Sequence, residues 1–427
     1  MPTRPRRTKR GSARRSPATE LSVRMYDVGF GDCFLVVLPG KDRPRRMLID
    51  CGSIKAGSAK LEDVVAGLVG DVTDADGVAR IDVVVATHRH RDHVAGFAES
   101  VWTDVEVSEV WMPWTEDPAD PVATRVRNAQ SRLALALEAR LAARLGATPP
   151  GPDRDRLADA HELALNALSN ERAMRTLHHG FTGAVERRFL PEADAGLRGW
   201  TTPHLPGVAV RCLGPSRDLD VIRELDPPAG KSYLRLLDGA TGSETSPPPF
   251  GPEWTLAPED FGTSQPELAA LISQTEFDEL EKIAEGKDGL VAAALDKAVN
   301  GTSLMLVLEV GAATLFFPGD AQWGTWRKVL EDPTARQLLE KTNLYKVGHH
   351  GSHNATPIEF VEDVVGDGIL AMVSTAAMKQ WPRIPKQELL DALERRRASI
   401  ARSDQPGDAP RPFDELRSGV IEVKVPI

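Results

Sequence analysis

The sequence predicts an α/β protein in which a β-rich beginning and an alternating end are separated by helical insertions. The beginning, from Leu21, reads as three β runs, with a Gly-Phe-Gly-Asp turn between the first two. From Ser303 onward, strand-like runs alternate with helical stretches, which is typical of βαβ units. Between about Pro121 and His179, the chain is rich in Ala, Leu, Arg and Glu, with apolar residues at helical spacing.

Each element of the first half follows from a local pattern. Apolar residues predict strands in LSVRMY, DCFLVVL and RRMLIDCG, and the spacing in Ser58–Val69 predicts a helix after them. In IDVVVA, the run Val83–Ala86 is wholly apolar and strand-sized, so it predicts a buried strand that stops at the polar residues THRHRDH. The carboxyl end of such a strand is where a layered α/β fold places a ligand.

The middle of the chain predicts two insertions. RLALALEARLAARLG and RLADAHELALNALSNERAMRTL are separated by the breaker run TPPGPD and predict a helical hairpin within an insertion of about residues 115–200. The run VAVRCLGP predicts a strand, and a loop over Asp238–Pro266 leads into a helix within a second insertion of about residues 216–299. The closing strands are predicted in SLMLVLEV, ATLFF, NLYKV, ILAMVST and SGVIEVKV.

Composition places the chain among ordinary globular proteins. Of its 427 residues, 41% are hydrophobic and 27% are charged, which argues against a fibrous or wholly disordered chain. Three cysteines, Cys33, Cys51 and Cys212, are too few and too widely spaced for a disulfide framework or a cysteine zinc site. We therefore expect a reducing, cytoplasmic location. The longest apolar runs are strand-sized, so no membrane partner is expected.

Charge is distributed unevenly along the sequence. Seven Lys or Arg and no acid occur in the first fifteen residues, and Ser-Pro-Ala-Thr-Glu follows them where a secretion signal would have an apolar run. We therefore expect a disordered basic arm over residues 1–20 and one domain over residues 21–427. Since the whole chain has a formal net charge of −10, that domain is strongly acidic, which argues against a broad surface for duplex DNA.

The chemistry is concentrated in the loop after the buried strand, where THRHRDH brings together His88, His90, Asp92 and His93. Imidazole nitrogen and carboxylate oxygen are ligands of borderline-soft divalent metals, and a loop can turn several of them inward. A solvated polar loop is the alternative interpretation. It fits poorly, because three of the ten histidines in the chain fall within six residues.

Two more apolar strands end in metal-binding residue types. ATLFFPGD ends at Asp320, and NLYKVGHH ends at His349 and His350. Taken alone, the first is an ordinary turn and the second fits a ligand or a capped turn equally well. Because three apolar strands end in such residues, the sequence predicts that these residues converge on one edge of the sheets.

These residues resemble the metallo-β-lactamase fold superfamily, whose HxHxDH motif, later bridging Asp and final His bind one or two metals. The likeness is closest to the hydrolase domain of the competence protein ComEC and its stand-alone relatives, on DVGFGDCFLV, MLIDCG, the SLMLVLEV to FFPGD pair, and LYKVGHHGS. It covers Val23 to about Gly96 and Asn300 to about Thr375. The resemblance implies an αββα sandwich with large helical insertions between its two halves.

The resemblance also implies a set of metal ligands for one or two divalent ions, Zn or Mn. His88 and His90 would bind the first metal, Asp92 and His93 the second, and Asp320 would bridge them. His349 would complete the second site with His350 beside it, although either of the pair can point inward. The superfamily usually supplies a third His to the first metal, and the histidines between the motif and Asp320 are not at strand ends: His161, His178, His179 and His204.

A site of this kind activates water, since two divalent ions lower the pKa of a bridging water to near neutrality. Asp92 and Asp320 are the predicted catalytic residues, which would hold the metal-activated hydroxide in line. Asp27, Asp32 and Asp50 are interpreted as partners that orient the ligand histidines, with ordinary turn acids as the alternative. The predicted substrate contacts, for which a solvated loop is the alternative, follow the final motif: Ser352, His353 and Asn354.

Three functions remain open at this point. The first is a phosphodiesterase or nuclease acting on DNA or RNA, with the basic arm adding phosphate contacts. The second is a hydrolase of a small lactone, thioester or other carbonyl substrate. The third is a binding module with a structural metal, which the number of predicted ligands disfavours. Nucleic acid and a small molecule are therefore the candidate partners, and the sequence leaves open whether there is a protein partner.

Overall fold

The fold is taken from a computed structural model, which describes residues 20–168, 170–193, 197–228, 230–232, 288–352, 354–378 and 381–427. The basic arm before Glu20, most of the second predicted insertion (residues 233–287) and His353 lie outside these ranges. For residues 288–290, only the backbone is described.

Within these ranges, eight strands form the first sheet in the order β13-β14-β1-β2-β3-β4-β5-β6. The predicted opening strands and the buried strand are all present. They pair in chain order from β1 to β6, with β1 closed on its other side by the last strand. The bounds are β1 Glu20–Tyr26, β2 Cys33–Leu38, β3 Arg45–Cys51, β4 Arg80–Val85, β5 Glu106–Pro113, β6 Glu186–Leu190, β13 Asp414–Arg417 and β14 Val420–Pro426.

Six further strands form the second sheet in the order β12-β11-β10-β9-β8-β7. The strands β9 to β12 run parallel, so their carboxyl ends lie at the same edge. The bounds are β7 Val208–Gly214, β8 Met305–Val310, β9 Ala313–Phe317, β10 Leu344–Lys346, β11 Leu370–Val373 and β12 Ser399–Arg402.

The helices of the described ranges fall into an outer layer on each sheet and a cluster formed by the insertions. Their positions agree with the helical spacing in the sequence, although the second predicted helix of the hairpin is broken after Ala167. The bounds are α1 Leu61–Asp71, α2 Arg91–Val94, α3 Pro121–Ala147, α4 Pro152–Ala167, α5 Glu171–Arg175, α6 Leu219–Ile222, α7 Asp288–Asn300, α8 Trp323–Glu331, α9 Pro333–Leu339 and α10 Gln387–Arg395.

The two sheets pack face to face and bury one core between them. Phe34 of β2 meets Phe317 of β9 with ring centroids 6.1 Å apart, and both belong to this core. A second core packs α1 and α5 on the outer face of the first sheet, and a third packs α8, α9 and α10 on the outer face of the second. This order of layers confirms the predicted αββα sandwich.

The helical cluster has a core of its own. Leu137 and Leu141 of α3, Ala164 of α4, and Val291 and Leu295 of α7 are buried together. The cluster therefore combines helices from both predicted insertions. The first of these insertions, residues 115–200, also contains β6, which pairs with β5 at the edge of the first sheet.

The start of α3 is fixed by a capping residue. The Asp120 carboxylate accepts hydrogen bonds from the backbone N–H groups of Val122 and Ala123 at 2.8 and 3.1 Å, which satisfies two otherwise unpaired donors. None of the helices in the described part of the chain is long and apolar enough to cross a membrane.

Candidate metal centre

The loops after β4, β9 and β10 meet at one end of the sandwich. Ala86 to His90 follow β4, Asp320 lies three residues beyond β9, and His349 and His350 follow β10. The loops of the two sheets are joined directly, since the backbone N–H of Leu304 donates to the carbonyl of Thr87 at 2.8 Å. The structure thus brings together side chains that are more than two hundred residues apart in sequence.

Four buried side chains form the centre of this meeting point. His93 Nε2 lies 3.1 Å from Asp320 Oδ2, and His350 Nε2 lies 3.1 Å from Asp92 Oδ2. One ligand atom from each of the four residues lies within 4.8 Å of every other, which is close enough for all four to share one ion. These two imidazoles and two carboxylates can hold a divalent metal.

His350, and not His349, occupies the place that the resemblance assigned to His349. His350 Nδ1 lies 2.9 Å from the Ser374 carbonyl, which only accepts, so Nδ1 carries a hydrogen and Nε2 is the nitrogen that faces the cluster. The backbone N–H of His349 donates to Asp320 Oδ1 at 3.1 Å, while its ring remains 17% exposed. Both residues have positive φ angles, 45° and 54°, so a sharp turn directs the two rings apart.

The other two histidines of the motif face each other beside this group, with the His88 and His93 ring centroids 4.1 Å apart. His88 Nε2 and His90 Nδ1 face each other at 3.1 Å, and both rings are buried. None of the four histidines considered for a third ligand joins them in the described structure. His161 lies near Glu138 at 3.4 Å, His204 lies 3.8 Å from Glu109, and the His178 and His179 rings are 5.7 Å apart at the rim of another cavity.

Asp50 orients His93 directly. The His93 Nδ1–H donates to Asp50 Oδ2 at 2.8 Å, so Nε2, which faces Asp320, is the nitrogen that would bind an ion. Asp50 also accepts two hydrogen bonds from Thr87, from the backbone N–H and from the hydroxyl, both at 2.7 Å. Its φ of 57° is unusual for a residue with a side chain and is typical of strained functional positions.

Asp32 and Asp27 differ in what they contact. Asp32 forms a buried ion pair with Lys346, and its oxygens lie 3.7 Å from His93 Nδ1 and 3.6 Å from His350 Nδ1. Asp27 accepts instead from the backbone N–H of Gly29 and from the N–H and hydroxyl of Ser58. Since these contacts hold a loop and none is with a histidine, the structure gives Asp27 the role of a turn acid.

The surrounding carboxylates raise the pKa of two imidazoles. Burial lowers the pKa of His93, but Asp320, Asp50 and Asp92 outweigh burial and raise it well above its usual value. Burial also opposes a charge on His350, and its hydrogen bond to Asp92 leads the effects that raise its pKa. A divalent cation bound among these carboxylates would displace the two protons.

The pKa values of His88, His90 and His349 are shifted in the opposite direction. Burial lowers the pKa of His88 well below its usual value, and the charge of His93 adds to this effect. Burial also lowers the pKa of His90, to about 4, and lowers that of His349. These rings are neutral at physiological pH, which is the form in which imidazole binds a metal.

Several buried polar atoms at the site have no hydrogen-bond partner. Among the described residues, these include Asp92 Oδ1, His90 Nε2 and His349 Nδ1. Buried polar atoms are normally paired, and a bound ion is one of the ordinary explanations for an exception. Together with the donor set of imidazoles and carboxylates, these atoms fit a bound divalent metal.

A cavity of about 420 Å³ opens beside the cluster, with Asp92 and His349 in its wall. Two of the predicted substrate contacts, Ser352 and Asn354, also line it, and the third lies outside the described residues. Phe30 and Trp381 form an aromatic wall, with ring centroids 5.0 Å apart. The charged residues that complete the lining are Asp296, Lys297, Arg383 and Lys386.

Sequence reasoning missed three residues of the site. Lys346 lies between apolar neighbours in LYKVG, and a lysine in a buried strand is a signal that it has an acidic partner. Asn166 accepts from the backbone N–H of Asp92 at 3.4 Å, and Asp296 lies 3.7 Å from His90. Both belong to the helical cluster, where no local pattern distinguishes them from surface polar residues.

Solved structures are similar to this chain at low sequence identity. No known family matches the sequence, and no curated protein matches it. The metallo-beta-lactamase fold protein YhfI from Bacillus subtilis aligns with 76% of this chain and 70% of its own, at 10% identity and a TM-score of 0.27. Zn(2+)-bound PqqB from Methylobacterium extorquens aligns with 89% of this chain and 97% of its own, at 9% identity and a TM-score of 0.37. Neither similarity carries the fold assignment, which rests on this chain's own layers.

Proposed function

We propose that this protein is a metal-dependent hydrolase of the metallo-β-lactamase fold. The observation that carries the proposal is the buried group of Asp92, His93, Asp320 and His350, which would hold one divalent ion, Zn or Mn. His88 and His90 would hold a second. Bound there, the ions would acidify a water and polarise the oxygen of the bond to be cleaved.

The protein's own residues would prepare this chemistry in two ways. Asp92 and Asp320 keep ionised carboxylates at the centre, because His93 and other nearby cations outweigh burial and lower the pKa of both. Asp50 fixes the His93 ring through its Nδ1–H, so that Nε2 is held in place before an ion or substrate arrives. His349, at the wall of the cavity, would contact the substrate.

The substrate class best supported by the cavity is a phosphodiester, and thus a nucleic acid or a smaller nucleotide. Lys297, Arg383 and Lys386 bring positive charge to the lining of the cavity, which favours an anionic group. Phe30 and Trp381 offer aromatic faces on which a base can stack. The likeness to ComEC in sequence supports the same class.

A small lactone, thioester or other carbonyl compound is the second candidate. It is favoured by the apolar part of the same cavity, formed by Leu163, Ala293, Pro382 and Ile384. Such walls suit the acyl chain of a neutral substrate.

Parallel assays would separate the two candidates. Zn- or Mn-loaded protein is tested on bis-(p-nitrophenyl) phosphate and labelled single-stranded DNA, and on a lactone and a thioester, with Asp320→Ala as the blank. We expect phosphodiester cleavage that a chelator abolishes. Lys386→Met should raise KM for the phosphodiester, while the exposed Lys424→Met should not. Cleavage of the lactone or thioester alone would establish the second candidate, and no cleavage of any of them would count against the proposal.

A further inference from the structure

The four imidazoles that face the proposed ions should each need a partner at the ring nitrogen that points away. A histidine that binds a metal almost always donates its other N–H to a fixed acceptor, which sets its tautomer and orientation. His93 has Asp50 as that acceptor, and His350 has the Ser374 carbonyl. The Thr87 hydroxyl donates to Asp50, so it can accept from His88 Nδ1 at 3.2 Å.

His90 is the fourth of these imidazoles, and the acceptor for its outward-pointing nitrogen is still to be identified. Its Nδ1 faces His88 Nε2, so its Nε2 must carry the hydrogen if Nδ1 is to bind an ion. This Nε2 is buried and makes no hydrogen bond. The Asp296 carboxylate lies 3.7 Å from it, on the far side of the ring from His88, and a shift of a few tenths of an ångström would close a hydrogen bond.

Asp296 is fixed in place by the helical cluster. It lies on α7 and is 8% exposed, next to Leu295, which packs in the core of the cluster. The Asn300 amide, one helical turn further along α7, donates to Asp296 Oδ2 at 3.2 Å. The Asn166 side chain also hydrogen-bonds with the Asp296 carboxylate. Oδ1 is the carboxylate oxygen that lies 3.7 Å from His90 Nε2.

The same cluster holds the backbone of the motif loop. The Asn166 carbonyl oxygen accepts from the backbone N–H of Asp92 at 3.4 Å, and the Asn170 amide donates to the carbonyl of Arg89. Asp296 is thus one of several contacts between the helical insertions and the loop that carries His88 to His93, and the ion pair of Arg89 with Glu116 is another.

We propose that Asp296 is a positioning residue that accepts the Nε2–H of His90 and thereby directs His90 Nδ1 toward the ion shared with His88. This inference rests on the proposed metal centre. Through Asp296, the helical insertions become part of the first metal site, which lacks a third histidine among the described residues.

Cobalt titration of the purified, metal-free protein tests this role. Binding of Co²⁺ is followed by its visible absorption and by calorimetry in the wild type and in Asp296→Ala, Asp296→Glu and the control Asp226→Ala. Asp226 is an exposed acid paired with Lys297, so its loss removes a nearby charge without touching His90. We expect two equivalents in the wild type and a loss of affinity of about 10- to 100-fold for one of them in Asp296→Ala. Asp296→Glu should recover most of that affinity, and Asp226→Ala should behave as the wild type.

The possible failures are distinguishable. A lower melting temperature of Asp296→Ala with both affinities unchanged would mean that the residue only packs the helix, and would overturn the inference. A wild type that binds a single equivalent would also overturn it, while leaving the proposed hydrolase intact. No cobalt binding at all would overturn the metal centre itself.

Discussion

At the scale of single residues, Asp50 connects the two halves of the cluster. It accepts from His93 Nδ1 and from the Thr87 hydroxyl, and that hydroxyl lies 3.2 Å from His88 Nδ1. One carboxylate therefore sets the orientation of a ring in each proposed metal site. The positive φ of Asp50 strains its backbone, and strain of this kind is typical of residues at functional sites.

Asp50→Asn tests this connection. Asn tolerates the positive φ, but its amide group places a donor where Asp50 accepts from Thr87 or His93. We expect metal affinity to fall by about 10- to 100-fold, measured by calorimetric titration with Zn²⁺. Asp27→Asn is the matched control, since Asp27 holds only the Gly29 and Ser58 loop, and its metal affinity should match the wild type. Equal losses of metal affinity in Asp50→Asn and Asp27→Asn would show that Asp50 has no special role in orienting the histidines.

Lys346 is the second residue whose role can be isolated. It is 2% exposed and pairs with Asp32, so Lys346→Met leaves a buried carboxylate without its partner. We expect the free energy of unfolding of the chelated protein to fall by about 3–5 kcal/mol. Urea denaturation measures it, with the exposed Lys424→Met as a control that should stay within about 0.5 kcal/mol. A loss below about 1 kcal/mol would show that Lys346 does not compensate Asp32.

At the scale of elements, close backbone contacts hold the motif loop against the first sheet. A Cβ on Gly52, just after β3, would lie 2.5 Å from backbone atoms of Arg91, Asp92 and His93. A Cβ on Gly31 would lie 2.2 Å from the carbonyl oxygen of Gly52 and 2.7 Å from that of Asp92. The glycines in DVGFGD and MLIDCG thus allow three loops to pack in contact, which is why these short motifs accompany the histidines.

Gly52→Ala should therefore displace the loop that carries Asp92 and His93. Since the obstructing atoms belong to the backbone, they cannot move aside cheaply, and we expect lower stability together with loss of metal binding. Gly70→Ala in α1 is the control, because a Cβ there meets nothing within 4 Å and should stabilise the helix by about 1 kcal/mol. Thermal melts with and without Zn²⁺ measure both. Unchanged metal binding in Gly52→Ala would contradict the close-packing argument.

The parts of the site that sequence could predict are those set by strand ends. An apolar run followed by THRHRDH, and later runs ending at Asp320 and at the paired histidines, are local patterns, and parallel strands bring their ends to one edge. His350 and not His349 faces the cluster because both residues have positive φ angles, and the residue types do not predict these angles. Asp296 was not predictable, because its approach to His90 depends on how α7 packs in the helical cluster.

At the scale of the whole molecule, two sheets and the helical insertions enclose an excess of buried carboxylates. Five of them, Asp32, Asp50, Asp92, Asp296 and Asp320, lie at the cluster, and Lys346 is the buried lysine among them. Burial and the charges of Asp92 and Asp320 raise the pKa of Asp296 to about 7. Without a bound cation, the cluster balances its charge with protons on His93, His350 and Asp296.

This proton balance predicts opposite pH responses for the chelated and the metal-loaded protein. Above about pH 6.5, the unfolded chain has released the protons of its histidines, whereas folded His93 and His350, with raised pKa values, still hold theirs. Stability of the chelated protein should therefore fall as pH rises through those pKa values. The raised pKa of Asp296 also makes stability fall with rising pH. The metal-loaded protein should not lose stability over this range, because the ion replaces the protons.

Thermal melts from pH 6.5 to 8.5, with chelator or with excess Zn²⁺, measure this difference. A chelated protein that becomes more stable with rising pH would show that His93 and His350 are not protonated in the folded state. Parallel curves for the two forms would show that no ion takes the place of those protons.

The most direct measurement is the metal content of the purified protein after stripping with a chelator and reloading with Zn²⁺ or Mn²⁺, determined by elemental analysis. With Asp92, His93, Asp320 and His350 as ligands, we expect at least one tightly held ion per chain and its loss in Asp320→Asn. A wild-type chain that retains no ion, with a melting temperature indifferent to added metal, would contradict the assignment of this cluster as a metal centre.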